Sequence, residues 1–195
     1  MAGTADNGRM TDSVIDPGQT RLDGDVPRED GLVDHVRGAL DAPVTLTEYG
    51  DYECPYCAAA KPVLDEVVAG SGGGVRLIFR NFPLHELHPY ALTAALAAEA
   101  AAAQGAFWPM HDMLFAHQTR LSDWDLAKYA TKLGLDGSRV IGDPAQPHGD
   151  KVEADFALGL ADGVRGTPTL LINGRLYEGR FDVAGLRRAV AQVPI

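Results

Sequence analysis

Hydrophobic and polar positions change their spacing several times along the chain. Val44-Thr45-Leu46-Thr47-Glu48-Tyr49 is β-rich with partial alternation, which predicts a strand. The Gly50-Asp51-Tyr52-Glu53 loop leads to a helix opened by Cys54-Pro55-Tyr56-Cys57 and running to about Ala69. Pro55 suits the first helical turn, where its missing N–H costs nothing. Pro62 falls inside the same helix and should kink it. The glycine run 70–74 ends that helix, and Val75-Arg76-Leu77-Ile78-Phe79 predicts a second strand.

A long helical stretch follows. Its segments run from His88-Pro89 to about Ala103, from Phe107-Trp108-Pro109 to about Ala116, from a Ser122 cap to Gly134, and over about 151–160. Thr169-Leu170-Leu171-Ile172 then predicts a strand. Asn173-Gly174 predicts a hairpin turn and 175–178 the return strand. Asp182 caps a last helix to about Ala191. The order is β-α-β, several helices, then β-β-α, an α/β chain without internal repeats.

Residues 1–30 hold seven acidic and three basic residues, scattered Gly and Pro, and no periodicity. They predict a flexible acidic tail, over 1–34, with too little apolar content to join a core. Order is expected to begin near Asp41-Ala42-Pro43. The whole chain of 195 residues carries a net charge of −10. That sign argues against nucleic-acid and anionic-membrane partners. No apolar run approaches the roughly 18 residues of a membrane span. The N-terminus has no basic segment, apolar segment or cleavage site, so the expected location is cytoplasmic.

The chain has two cysteines, Cys54 and Cys57, three residues apart at a predicted helix start. Residues so spaced share a helical face, so the sulfurs can meet. The helix N-terminus offers free N–H groups and partial positive charge, which stabilise a thiolate at Cys54. Such a thiolate is the nucleophile of thiol–disulfide exchange and also a good leaving group. Cys57, one turn deeper, suits the resolving role. A structural zinc site would need four ligands and lacks a second cysteine pair. Buried cysteines without chemistry are the remaining alternative.

Here the sequence resembles a family. Residues 48–57, Glu48 through Cys57, together with Gly166-Thr167-Pro168-Thr169, look like the DsbA-like branch of the thioredoxin superfamily. The segments His88-Pro89-Tyr90, 104–108 and His111-Asp112 resemble its helical insertion, and the likeness covers about residues 35–192. It implies a thioredoxin-like domain over 35–83 and 162–195, with an inserted helical domain over 84–161. It also implies an attacking Cys54, a resolving Cys57, and active-site tuning by Pro55 and Tyr56.

Pro168 matches the family's cis-proline, and Thr167 and Pro168 would take an extended substrate. An ordinary turn before a strand is the plainer reading of those residues. Glu48 matches a buried acid that would take the proton of Cys57, the alternative being a solvent-facing strand residue. Pro55-Tyr56 differs from the Pro-His of strongly oxidising members. Asp51 and Glu53 should oppose the thiolate, and both features imply a milder oxidant.

The function that follows is a protein thiol–disulfide oxidoreductase with protein substrates, an unidentified redox partner, and no metal or bound cofactor. A glutaredoxin-like reductase using a small thiol is one alternative, since CPYC also occurs there. A redox-sensing interaction module is another. His85-Glu86-Leu87-His88 has the wrong spacing for a metalloprotease. His111 and His117 do not share a helical face. Trp108, Phe115 and Trp124 are expected to fill a core.

Overall fold

The elements of the chain, described over residues 22–194 in a computed structural model, begin with an unexpected pair of strands, β1 (Leu22–Pro27) and β2 (Val33–Ala39). They are followed by β3 (Val44–Gly50), α1 (Pro55–Ala69) and β4 (Val75–Asn81). Next come α2 (Ala91–Ala102), α3 (Phe107–Ala116), α4 (Asp123–Lys132), two 3-10 turns (Gly137–Arg139 and Asp143–His148) and α5 (Gly149–Ala161). The chain closes with β5 (Thr169–Ile172), β6 (Arg175–Leu176) and α6 (Val183–Ala191).

The strands form a mixed sheet in the order β1-β2-β4-β3-β5-β6. Inner strand β3 runs parallel to β4 and antiparallel to β5. Alternation along β3 sends Leu46 and Glu48 to one face and Thr47 and Tyr49 to the other. Tyr49 packs with Phe82, Val164 and Leu171 in a small cluster. Leu46 joins the main core with Leu64, Leu77, Phe79 and Leu186.

Local chemistry sets the element ends. Cys54 keeps extended backbone angles as the N-cap of α1, and Pro55 enters the first turn. The helix continues through Pro62, which removes one internal hydrogen bond. Ser122 and Asp182 accept the N–H groups of Asp125 and Gly185, capping α4 and α6. Asn173 and Gly174 both have positive φ, the backbone that a tight hairpin needs. The α2 helix starts at Ala91 rather than His88, which precedes Pro89 and is thereby steered away from helical backbone.

The N-terminal expectation needs correction. Residues 22–34 are not tail: β1 pairs antiparallel with β2, and β2 with β4, so order begins well before Asp41. The part of the tail expectation that concerns residues 1–21 lies outside the described residues. Several charges of the described part, Asp25, Arg28 and Asp34, are in fact paired with the body of the protein. Buried Arg28 bonds Asp155 at 2.6 Å and also pairs with Asp30 and Asp34. His35 bonds Asp25 at 2.6 Å and Glu99 at 2.9 Å. Asn81 and Lys151 bond the same acids, Glu99 and Asp155, at 2.6 and 2.5 Å. The Trp108 indole N–H donates to the Val36 carbonyl.

Arg28→Ala leaves Asp155 with Lys151 and Asp34 with Arg80, so the loss falls at the low end for a broken buried pair. The expected destabilisation is about 3 kcal/mol by urea unfolding. A loss below about 1 kcal/mol, the range of exposed pairs, would show that these ions do not hold the hairpin.

Candidate active site

The loop between β3 and α1 lies at the carboxyl ends of parallel strands β3 and β4. Crevices at strand ends are the usual sites of chemistry in such sheets. Its entry residue, Gly50, is held by proximity: a Cβ there would sit 2.4 Å from the Phe79 ring. The Asp51 carbonyl accepts the Cys54 N–H, and the Asp51 N–H points at Cys57 Sγ, 3.5 Å away. The buried Asp51 carboxylate accepts the N–H groups of Glu53 and Leu84 and the Nδ1–H of His88, at 2.8–2.9 Å.

Both cysteines are reduced and buried, Cys54 at 3% exposure and Cys57 at 0%. The Cys54 thiol donates to the Thr167 carbonyl at 3.3 Å. The Cys57 thiol lowers its pKa most, against the effect of burial; Thr167 and the N–H groups of Cys57 and Tyr56 add to this. Together they bring Cys54 down to about 5. Thr167 also carries a buried hydroxyl with no hydrogen-bond partner among the described residues, a donor that the thiolate can take. Burial, the Cys54 sulfur and the Glu48 charge push the Cys57 thiol far up. The two sulfurs are therefore chemically unequal.

Glu48 faces the core rather than solvent and is 2% exposed; its Oε1 lacks a hydrogen-bond partner among the described residues. Burial, then the charge of Asp65, pushes it up to about 8. Pro55 and Tyr56 are exposed, Tyr56 at 73%. The Thr167–Pro168 peptide bond is cis, and its Thr167 carbonyl adjoins Cys54. The structure thus gathers Cys54, Cys57 and Thr167 by direct contact. Pro168 enters through the peptide it shares with Thr167, and Glu48 through its charge.

Two residues at the site escaped the sequence reading. The Gln118 amide, just after α3, donates to the carbonyls of Tyr52 (3.0 Å) and Cys54 (2.7 Å). His88 bonds Asp51. A lone Gln or His gives no sequence signal when its partner is so distant in the chain. Asp51 does not oppose the thiolate as expected, because its charge is spent on two N–H groups and His88. Glu53 instead accepts the Tyr90 N–H at 2.6 Å. Neither acid is among the main influences on Cys54. Trp108 and Phe115 are buried, but Trp124 is 65% exposed, with Lys128 over its ring. A cavity of about 510 Å³ between β5, β6 and α6 shares no residue with the site.

A family model described as thioredoxin matches residues 31–192. The chain is 46% identical over 158 residues to Na(+)/H(+) antiporter NhaA 3 of Salinispora tropica, covering 80% of this chain and 24% of that protein. It therefore spans about a quarter of the curated relatives it matches. No helix among the described residues is long and apolar enough to cross a membrane.

Among solved structures, a thioredoxin-like oxidoreductase from Silicibacter pomeroyi is 28% identical with a TM-score of 0.70, covering 82% of this chain and 91% of that one. The thiol-disulfide exchange protein alpha-DsbA2 from Wolbachia pipientis is 26% identical with a TM-score of 0.71, covering 82% and 86%.

Glu48 also makes stability depend on pH. Its folded pKa, about 8, lies above the ordinary 4.5, so the folded state holds the proton more tightly. That contribution is complete below about pH 4.5 and is lost as pH rises toward about 8. Glu48→Gln should remove this decline and make the reduced protein more stable than wild type at pH 8. Denaturant titrations from pH 5 to 8 check this; parallel pH profiles would show that Glu48 is not held protonated.

Proposed function

The chain belongs to the DsbA-like thiol–disulfide oxidoreductases of the thioredoxin superfamily, and from that premise we propose that it exchanges disulfides with protein substrates through Cys54. The observation that carries this reading is the inequality of the two sulfurs, one thiol near 5 at a helix start and one sealed beneath it.

Cys54 thiolate attacks one sulfur of a substrate disulfide. A new S–S bond forms, the substrate S–S bond breaks, and the leaving thiolate takes a proton from solvent. Cys57 then gives its proton to the Glu48 carboxylate and attacks Cys54 Sγ. The substrate's second sulfur leaves as a thiolate and takes a proton from solvent, and two electrons have passed from the protein to the substrate. The reverse sequence oxidises a substrate dithiol. A thiolate as stable as Cys54 favours the dithiol form and supports that oxidising direction.

The Thr167 carbonyl and the Pro168 loop offer backbone beside the sulfurs for an extended segment, a form of strand addition. Exposed Tyr56 adds an aromatic surface at the rim. Antiporter activity belongs to the longer relatives by name, and nothing in the cysteine site performs it.

At about pH 6, iodoacetamide should label Cys54 far faster than Cys57, as mass spectrometry reads. Cys54→Ser should abolish exchange, whereas Cys57→Ser should accumulate mixed disulfides with a protein substrate, visible on non-reducing gels. Preferential labelling of Cys57 would overturn the assignment. Turnover that needs glutathione would favour the small-thiol reductase.

Glu48→Gln should slow the second step about 10²-fold or more while leaving the first attack unchanged. Stopped-flow measurement of the two steps separates them; equal effects on both would remove Glu48 from proton transfer.

A further inference from the structure

His88 has no role in the exchange just described, yet its placement is specific. Its Nδ1–H is committed to buried Asp51, so Nε2 is the nitrogen that gains or loses a proton. Asp51 in turn brackets both cysteines through its backbone, with its carbonyl on the Cys54 N–H and its N–H toward Cys57 Sγ. The same carboxylate fixes Leu84 N–H and therefore the segment that carries His88. The cluster is thus a chain of direct contacts from a partly exposed imidazole to the Cys54 backbone and the Cys57 sulfur.

We infer that His88 is a positioning residue for Cys54: its protonated ring balances the buried Asp51 charge and thereby couples thiolate formation to the proton on Nε2. The inference rests on Cys54 being the attacking thiolate.

The physical argument is a charge balance. With His88 protonated, the Asp51–His88 pair is neutral, and the Cys54 thiolate forms without a neighbouring net negative charge. Once Nε2 loses its proton, the positive charge that faces Cys54 is gone and the Asp51 charge is left unbalanced, so the thiolate costs more. The groups facing His88 are Asp51 and Glu53 of the loop and Cys54 of the helix start. Burial pulls its pKa down, but the Asp51 bond and charge, then Cys54 and Glu53, carry it above the ordinary value. The ring therefore holds its proton more tightly than a free imidazole does.

Linkage makes the coupling reciprocal: whatever His88 does to Cys54, the Cys54 charge does to His88 by the same factor. Oxidation to the Cys54–Cys57 disulfide removes the thiolate, so it must lower the His88 pKa.

The test uses the intact wild-type chain and one variant. NMR titration of the His88 ring should give a midpoint about one unit lower in the disulfide form than in the reduced form. Thiolate absorbance should place the Cys54 midpoint of His88→Gln higher by the same amount. Gln can still donate to Asp51 but carries no charge, so a merely structural role would be rescued and would leave Cys54 unchanged. Identical His88 midpoints in the two redox forms would overturn the inference, and that arm needs no variant to fold. Failure of the Cys54 assignment itself would look different: the thiolate that titrates near pH 5 in the reduced wild-type protein would persist in Cys54→Ser.

Discussion

The four residues between β3 and α1 are the constraint from which the site follows. They must expose a helix N-terminus and still hold Cys54 against Thr167. A free N-terminal turn has four N–H groups without helical partners, and this end meets the sulfur rather than a side-chain cap. The loop is consequently tied from outside. The Phe82 N–H bonds the Gly50 carbonyl, and Gln118 spans the Tyr52 and Cys54 carbonyls. Asp51 gathers the segment that precedes α2. Each tie comes from beyond α1, so the residues after β4 are part of how the cysteines are aimed. Net hydrogen bonds are worth about 1 kcal/mol each, and the several made here suffice to fix one loop geometry.

A second constraint runs through the buried charges beneath the N-terminal hairpin. Ions taken out of water are costly, and pairing recovers that cost only when the remaining donors and acceptors are met. Arg28, His35, Glu99, Lys151 and Asp155 are paired in this way, and the Asn81 amide N–H donates to Glu99 and Asp155, although its Oδ1 finds no partner among the described residues. His35 shows the principle. Burial alone would pull its pKa down, yet Glu99 on one nitrogen and Asp25 on the other raise it. Its ring also stacks on Phe107 at 3.7 Å. The hairpin is thereby fastened to α2 and α5 by directional bonds, in a place where its own apolar residues are few.

This explains why some of the molecule was legible in sequence and some was not. Patterns that depend on neighbours in the chain could be read: alternation in β3, the Ser122 and Asp182 caps, the Asn173-Gly174 turn, the spacing of Cys54 and Cys57. The β1–β2 hairpin could not be read, because Asp25, Arg28 and Asp34 look like solvent residues until their distant partners are known. Asp155 lies 127 positions from Arg28. Gln118 and His88 were hidden for the same reason, with partners 64 and 37 residues away. Trp124 failed in the opposite direction: its aromatic type suggested a core, but the exposed side of α4 carries it.

The inequality of the two sulfurs also orders the proposed exchange in time. Cys57 is held protonated by burial, by its bond to Cys54 and by the nearby charges of Glu48 and Cys54. The Cys54 charge likewise contributes to keeping Glu48 protonated. When Cys54 forms a mixed disulfide, its negative charge disappears. Two of the influences that hold Cys57 up then vanish, and one that holds Glu48 up vanishes with them. Glu48 becomes a more abundant base at the moment when Cys57 must lose its proton. Before that moment the same charge suppresses a second thiolate, so the resolving sulfur stays silent until there is something to resolve. In the proposed exchange the first step thus prepares the second through electrostatics.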